Sequence, residues 1–552
     1  NRIQETVIAH SRLKIPAFFT TECSHGHMAL GGTILPTALA MGCSWDPQLY
    51  QEVARSVAEE TLLSGEHLAL LSCLDVARDP RWGRTEECFG EDPCLTAAMA
   101  RAATLGTQSG AWEPQHAEKR RIAVVLKHLA GQGDPAGGHN AAAAAIGARE
   151  FREIHLPPVK AGCLAGAQSF MAAYNEIDGV PCCANRELLQ TLIRDAWGFD
   201  GVVMADGFAL DNLQEMTGSF AEAGVLGIKA GVDLGLWDNA YRTLEDSIEA
   251  GRLSPTTLDR AVARVLRLKF QLGLFDQPYL KENAEALHAA RQRTQQLNLQ
   301  LARESLVLLR NDGDVLPFGK DVRRVAVIGP AADNVYAQLG DYSPPQQPDE
   351  TTTILAGIRR LLGPSVEVDY ALGCSHRGDD GSGIADAVAM ADRADAVVVA
   401  VGGSSNRYVG TKYLATGAAD VASGTREMDC GEGVDLASLE LGGRQRELVQ
   451  ALQATGRPLA VVLIQGRPHA IPWIAEHCPA ILCAWYPGQQ GGLAVAETLF
   501  GDANPSGRLA ISIPRTVSQL PAYYNHKRRG EATYYDMPGS AQFPFGFGLS
   551  YT

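Results

Sequence analysis

Along residues 1–275 short apolar runs alternate with stretches whose apolar residues recur at helical spacing. The runs predict strands over 15–20 (IPAFFT), 68–76 (LALLSCLDV), 123–129 (AVVLKHL), 169–175 (SFMAAYN), 201–206 (GVVMAD) and 230–236 (AGVDLGL). Such near-continuous apolar strands belong to a parallel sheet covered on both faces. Between them, 47–65 and 94–110 read as helices. Strand, helix, strand repetition of this length fits a (β/α)8-like TIM barrel better than a doubly wound sheet. Polar residues stand where the strands end: Glu22, Asp75, Lys127, His128, Asn175 and Asp206. In a barrel that rim is where sites are built.

The pattern changes at 276–300, which is polar and helix-forming and reads as a linker. It separates a barrel-like domain, 1–275, from a second α/β domain, 301–552. The second half repeats the apolar runs at 324–330, 396–403, 458–466 and 480–488, with helices at 447–455 and 492–501. Its strands end in glycine, yet neither VIGPAAD nor VGGSSN is a GxGxxG fingerprint with a ribose-binding acid. Tight turns closing buried strands account for these glycines.

Composition narrows the choice of ligand. The net charge is −15, with 46% hydrophobic and 20% charged residues, which argues against nucleic-acid or anionic-membrane partners. Apolar runs stay short of the ~18 residues that span a bilayer. The twelve cysteines contain no CxxC pair, so no metal site is expected, and they read as buried thiols of a reducing compartment. The opening stretch shows no signal-peptide pattern and no initiating Met. The expectation is a cytoplasmic protein whose natural N-terminus lies upstream, open to homo-oligomer formation.

The chemistry starts from Asp206, a carboxylate ending an apolar strand next to a glycine. Alone it would read as a cap of the following helix. Other motifs stand in order along the chain: ECSHG (22–26), LDVARDPRWGRTEECFGEDPCL (74–95), LKHLAGQG (126–133), SFMAAYNEIDGVPCCAN (169–185), GFDGVVMADG (198–207), RESLVLLRNDGDVLPF (303–318) and FPFGFGLSYT (543–552). Together they resemble glycoside hydrolase family three, the β-glucosidase and β-xylosidase family. The resemblance implies a barrel followed by an α/β sandwich, and a cofactor-free glycosidase acting on a small oligosaccharide or glycoside.

By position, the resemblance makes Asp206 the nucleophile, ionised near the ordinary Asp value of about 3.9. The family usually places an aromatic or Cys directly after it. Here Gly207 and then Phe208 follow. Glu22 matches the acid that accepts from distal sugar hydroxyls, and Arg84 the sugar-binding arginine. Arg81 reads as a structural ion pair with Glu86, Glu87, Glu91 or Asp92. Lys127 and His128 both donate to hydroxyls. Met171 reads as core packing or ligand contact. Tyr174 could bond the nucleophile or the sugar, and Trp237 could stack on a sugar face or cover the barrel. For the acid/base, the family pattern of acid, Gly, apolar, Asp fits GEGVD (431–435) and selects Glu432, with Glu427 and Asp429 as rivals. Leu436 stands where an Arg often follows, so the loop would lack its internal ion pair. Retention needs the two carboxyl groups about 5–5.5 Å apart.

The expected activity is a retaining, exo-acting β-glucosidase. Alternatives are a β-xylosidase, a β-N-acetylhexosaminidase or a catalytically silent sugar-binding protein. The hexosaminidase pattern wants a DxH arrangement that Asp134 and His139 do not form. The silent reading rests on a start late relative to the family.

Overall fold

The computed structural model describes residues 1–108, 121–347, 349–405, 412–414, 418, 420, 427–527 and 533–552. The tail of the helix expected over 94–110 and the first two positions of the loop 425–441 lie outside them.

Six strands form one parallel sheet in chain order: β1 Thr20–Glu22, β2 Leu68–Ser72, β3 Ala123–Leu129, β4 Ser169–Ala172, β5 Val202–Gly207 and β6 Leu234–Leu236. Each strand pairs with the next in sequence, the order of a (β/α) barrel. Strand periodicity separates two cores. In β2, Leu68 and Leu70 face inward with Val125, Met171 and Met204. Ala69 and Leu71 face outward into a helix-covered layer.

That layer includes α1 Pro47–Ser64 and α2 Pro93–Thr107. Asp46 and Asp92 cap their first turns, each followed by a proline that fits N1. A third helix, α3 Pro255–Gln271, has a different place. Its Leu268, with Leu272 and Leu274 just beyond, joins the interior cluster beside Phe18. Lys269 donates from Nζ to the Pro16 carbonyl at 2.5 Å and lies 4.9 Å from the Phe18 ring centroid. Among the described residues β1 and β6 do not pair, and α3 seals the interior between them.

The first strand differs from expectation. Of 15–20 only Thr20 is in β1. Pro16 has no N–H for a ladder, and the Phe19 N–H donates to His67 Nδ1 instead (3.1 Å). Strand pairing therefore starts later and runs on to Glu22.

Residues 276–300 lead into α4 Ala284–Ser305. This helix packs on both α1 and α5 Gly491–Leu499 of the second half. Arg303 pairs bidentately with Glu497.

The second sheet contains β7 Val307–Asn311, β8 Arg324–Ile328, β9 Glu367–Ala371, β10 Ala396–Gly402, β11 Leu459–Ile464 and β12 Ala480–Cys483, in the order β9-β8-β10-β11-β12-β7. Only β7 runs antiparallel to its neighbour, here β12. Strands β7 and β9, missed in the sequence reading, are the two edges. Helices on both sides make this an α/β sandwich. One apolar cluster runs through both halves, from Leu39, Trp82 and Phe89 to Trp485 and Ala510.

Candidate active site

The C-terminal ends of β1, β3 and β5 deliver Glu22, Lys127, His128 and Asp206 to one rim. The loop after β2 adds Arg84 from a short 3-10 helix, Gly83–Glu87. The second half adds Glu432. Six of the residues singled out by sequence thus converge, contributed by both lobes.

Arg84 is the hub, almost wholly buried. Its Nε and one terminal nitrogen donate to the two oxygens of Glu87, at 2.6 and 3.0 Å. The other terminal nitrogen reaches Glu432 Oε1 at 3.2 Å. Arg84 also lies 2.9 Å from His128 Nε2. Guanidinium can only donate, so Nε2 accepts and His128 Nδ1–H donates to Asp75 Oδ2 at 2.7 Å. Burial, Arg84 and Lys127 hold the His128 pKa well below the imidazole range, so the ring stays neutral. Lys127 Nζ grips both oxygens of Glu22, at 3.0 and 2.8 Å. Burial works against its charge, but Glu22 and Glu87 more than compensate and its pKa is raised.

Asp206 accepts from the Gly207 N–H through Oδ1 at 2.9 Å. Its Oδ2 is buried with no hydrogen-bond partner among the described residues, 3.5 Å from His128 Nε2. Burial pushes its pKa up to about 7, against the opposing pull of Arg84 and Lys127. Glu432 adds to the rise. The ordinary value expected from sequence is therefore corrected: desolvation outweighs two neighbouring cations.

Tyr174 lies beside Asp206, with its hydroxyl near the Gly207 backbone. A Cβ at 207 would meet that hydroxyl at 3.3 Å and the Trp237 ring at 3.2–3.3 Å. Glycine thus leaves room for the indole. Trp237 is 60% exposed and forms the site's aromatic edge with Phe208, centroids 5.9 Å apart. Both have left-handed backbones. Asp238 braces this turn by accepting from the N–H groups of Leu210, Asp211 and Leu236. Met171 sits in the barrel interior at 1% exposure.

The second lobe docks through backbone. Gly431 N–H donates to the Gly83 carbonyl at 2.9 Å, and a Cβ at 83 would lie 2.1 Å from the Gly431 carbonyl oxygen. Only glycine allows this approach. Asp435 accepts from the Gly83 and Asn140 N–H groups at 2.8 and 2.7 Å. These amides supply what an arginine at 436 would have given. Arg467, fully buried, donates to the carbonyls of Pro80, Arg81 and Val434. Asp429 is engaged elsewhere, with the Ser404 N–H and His469. That pairing overcomes burial and lowers its pKa to about 2.

Arg81 does form an ion pair, but with Asp79. Of the acids proposed for it, Glu87 holds Arg84 and Glu91 holds Ser512 and the Tyr524 N–H. Asp92 caps α2 and accepts from the Tyr524 hydroxyl. Glu86 is buried between Asp341 and Ser405. Asp134 faces His155 at 3.7 Å, not His139.

Sequence reasoning missed Asp75, Glu87, Asp341 and Tyr342 as parts of the site. Asp75 carried a signal as a strand-end acid. Glu87 stands three residues after Arg84, a spacing that could have paired them, whereas Asp341 and Tyr342 act on Glu432, distant in sequence, which no local pattern reveals.

Comparison with known proteins agrees with this architecture. The Glycosyl hydrolase family 3 N terminal domain matches residues 1–268, and the Glycosyl hydrolase family 3 C-terminal domain matches 306–551. A beta-xylosidase of Formosa agariphila is 36% identical over 99% of this chain and 76% of its own. A periplasmic beta-glucosidase of Salmonella typhimurium is 34% identical over 100% and 73%. Among solved structures, a β-glucosidase from Erythrobacter marinus superposes with a TM-score of 0.90 at 38% identity, covering 100% of this chain and 74% of that one. A Listeria innocua beta-glucosidase in complex with isofagomine gives 0.89 at 30%, covering 100% and 74%.

Proposed function

The chain belongs to glycosyl hydrolase family 3 and is a β-glycosidase, and on that premise we propose that it is a retaining, exo-acting β-glucosidase with Asp206 as nucleophile and Glu432 as acid/base. The reading is carried by one observation: the buried carboxyl of Asp206 and a second carboxylate from the other lobe share the field of Arg84.

Asp206 Oδ2 attacks the anomeric carbon while Glu432 gives its proton to the glycosidic oxygen. The aglycone leaves, and the sugar stays esterified to Asp206. Glu432, now a carboxylate, takes a proton from water, which attacks the same carbon and frees Asp206. Glu22, Arg84, Lys127 and neutral His128 bind hydroxyls of the terminal non-reducing sugar. Tyr174 positions the nucleophile and Trp237 offers a stacking surface. Met171 supports the floor. Glucose is favoured because a relative's structure was solved in complex with glucose.

A β-xylosidase reading has its own support in the beta-xylosidase name of the Formosa relative. Incubation with a 2-deoxy-2-fluoro-β-glucoside carrying a dinitrophenyl leaving group tests the proposal. One equivalent of phenolate should be released and the peptide containing Asp206 should gain one fluoroglucosyl mass. Labelling at another residue removes the assignment. Labelling only by the xylose analogue moves the reading to β-xylosidase.

A further inference from the structure

Glu432, read above as the acid/base, has a partner that no sequence motif pointed to. The Tyr342 hydroxyl donates to Glu432 Oε2. The two are held together by one carboxylate: Asp341 Oδ1 accepts from the Tyr342 N–H and Asp341 Oδ2 from the Glu432 N–H, both at 2.9 Å. Asp341 is in turn fixed by its own N–H to Glu86 Oε1 (3.1 Å) and by its carbonyl to His25 Nε2 (2.5 Å).

The charged and titratable groups around Glu432 come from both lobes. Arg84 touches Oε1, with Glu87 behind it. Asp206 and Tyr174 face it from the barrel, and Lys127 lies 4.8 Å from the Tyr342 ring centroid. Asp341 sits under its backbone. Of the two groups among the described residues that hydrogen-bond the Glu432 carboxyl, Arg84 can only donate and so serves only the ionised form. A hydroxyl can donate to a carboxylate or accept from a carboxylic acid. A residue that gives up a proton and regains it in one turnover needs a partner of the second kind.

We propose that Tyr342 is a positioning residue for Glu432, keeping it hydrogen-bonded in both protonation states as the proton leaves and returns. Tyr342 exchanges no proton with the substrate. The proposal rests on the acid/base reading of Glu432.

The test compares Tyr342→Phe with wild type on a methyl β-glucoside, whose leaving group needs a proton, and a dinitrophenyl β-glucoside, whose leaving group does not. Bonds to an ionised acceptor are stronger than bonds to a neutral one, so the basic limb of kcat/KM should rise by about half a pH unit to one unit. Turnover of the methyl glucoside should fall roughly tenfold or more, and that of the dinitrophenyl glucoside far less. Placing 3-fluorotyrosine at 342 retains the ring and sharpens the donor, so the limb should move down, opposite to Phe. This variant keeps the test open if Phe compromises folding. Equal losses on both substrates with an unmoved limb would overturn the proposal. Glu432→Gln run in parallel separates the two claims. If it still cleaves the methyl glucoside at the wild-type rate, the acid/base reading falls as well. If it is inactive there while both Tyr342 variants behave as wild type, only the role of Tyr342 falls.

Discussion

Asp206 shows how a single residue can be stable and reactive only at mutual expense. Its pKa is raised to about 7 in the folded protein, while an unfolded Asp titrates at about 3.8. Between these values the folded state holds the proton more tightly, so stability falls as pH rises from about 4 to 7 and levels off above. Asp206→Asn removes this dependence. Its melting temperature should exceed that of wild type at pH 8, by the equivalent of up to about 4 kcal/mol, and approach it at pH 4. A pH-independent difference in calorimetry would show that the carboxyl is not desolvated as described. At this scale the sequence was informative where a residue ends a strand or sits in an ordered motif. Asp206, Lys127 and His128 were legible in this way. The partner of Arg81 was not, because four acids lie within reach along the chain and only the turn at Asp79 decides. Nor was the purpose of Gly207, since Trp237 approaches it from a different loop.

At the scale of elements, the long apolar runs found their strands within a few residues. The misses have separate causes. β1 was displaced because Phe18 and Phe19 are apolar for a reason other than pairing: Phe18 packs against α3. β9 lies at a sheet edge, where most of its residues are only half-buried and the apolar pattern thins; β7 is apolar over Val307–Leu309, but it is short and follows directly on α4, so it blends into the end of the helix. Periodicity also failed to show that α3 would lie against the inside of the sheet. Leu268 is 3% exposed within that interior cluster. Leu268→Ala should therefore destabilise by about 2–5 kcal/mol, as a core truncation does, whereas an exposed position of the same helix such as Val262 should tolerate alanine with little change. Chemical denaturation of the two variants would reveal a peripheral α3 if their losses were equal.

For the whole molecule, the decisive fact is that neither lobe holds both carboxylates. Their relative placement depends on Arg467, which spans the loop carrying Arg84 and the loop carrying Glu432 through three carbonyls. Arg467→Ala strands these buried acceptors. Its cost should be at least ~3 kcal/mol. Turnover should drop more than apparent affinity, because the hydroxyl-binding residues on the barrel remain in place. A variant with wild-type kcat at a temperature where it is fully folded would exclude this coupling. The two-lobed layout was legible from the polar break near 276–300, but the break itself misled. The segment contains most of a helix that packs on both sides, so the lobes share one apolar interior instead of hanging from a tether.

The backbone contact of Gly83 with Gly431 bears on how such enzymes can be recombined. Exchanging the entire second lobe with that of a relative at the gap between 268 and 306 would look conservative on a sequence map. The graft would succeed only with donors whose main chain follows the same path at both glycines, since no side-chain redesign can absorb a mismatch between two peptide groups. Libraries meant to vary sugar preference are better drawn within the rim turns of one parent, leaving that seam intact.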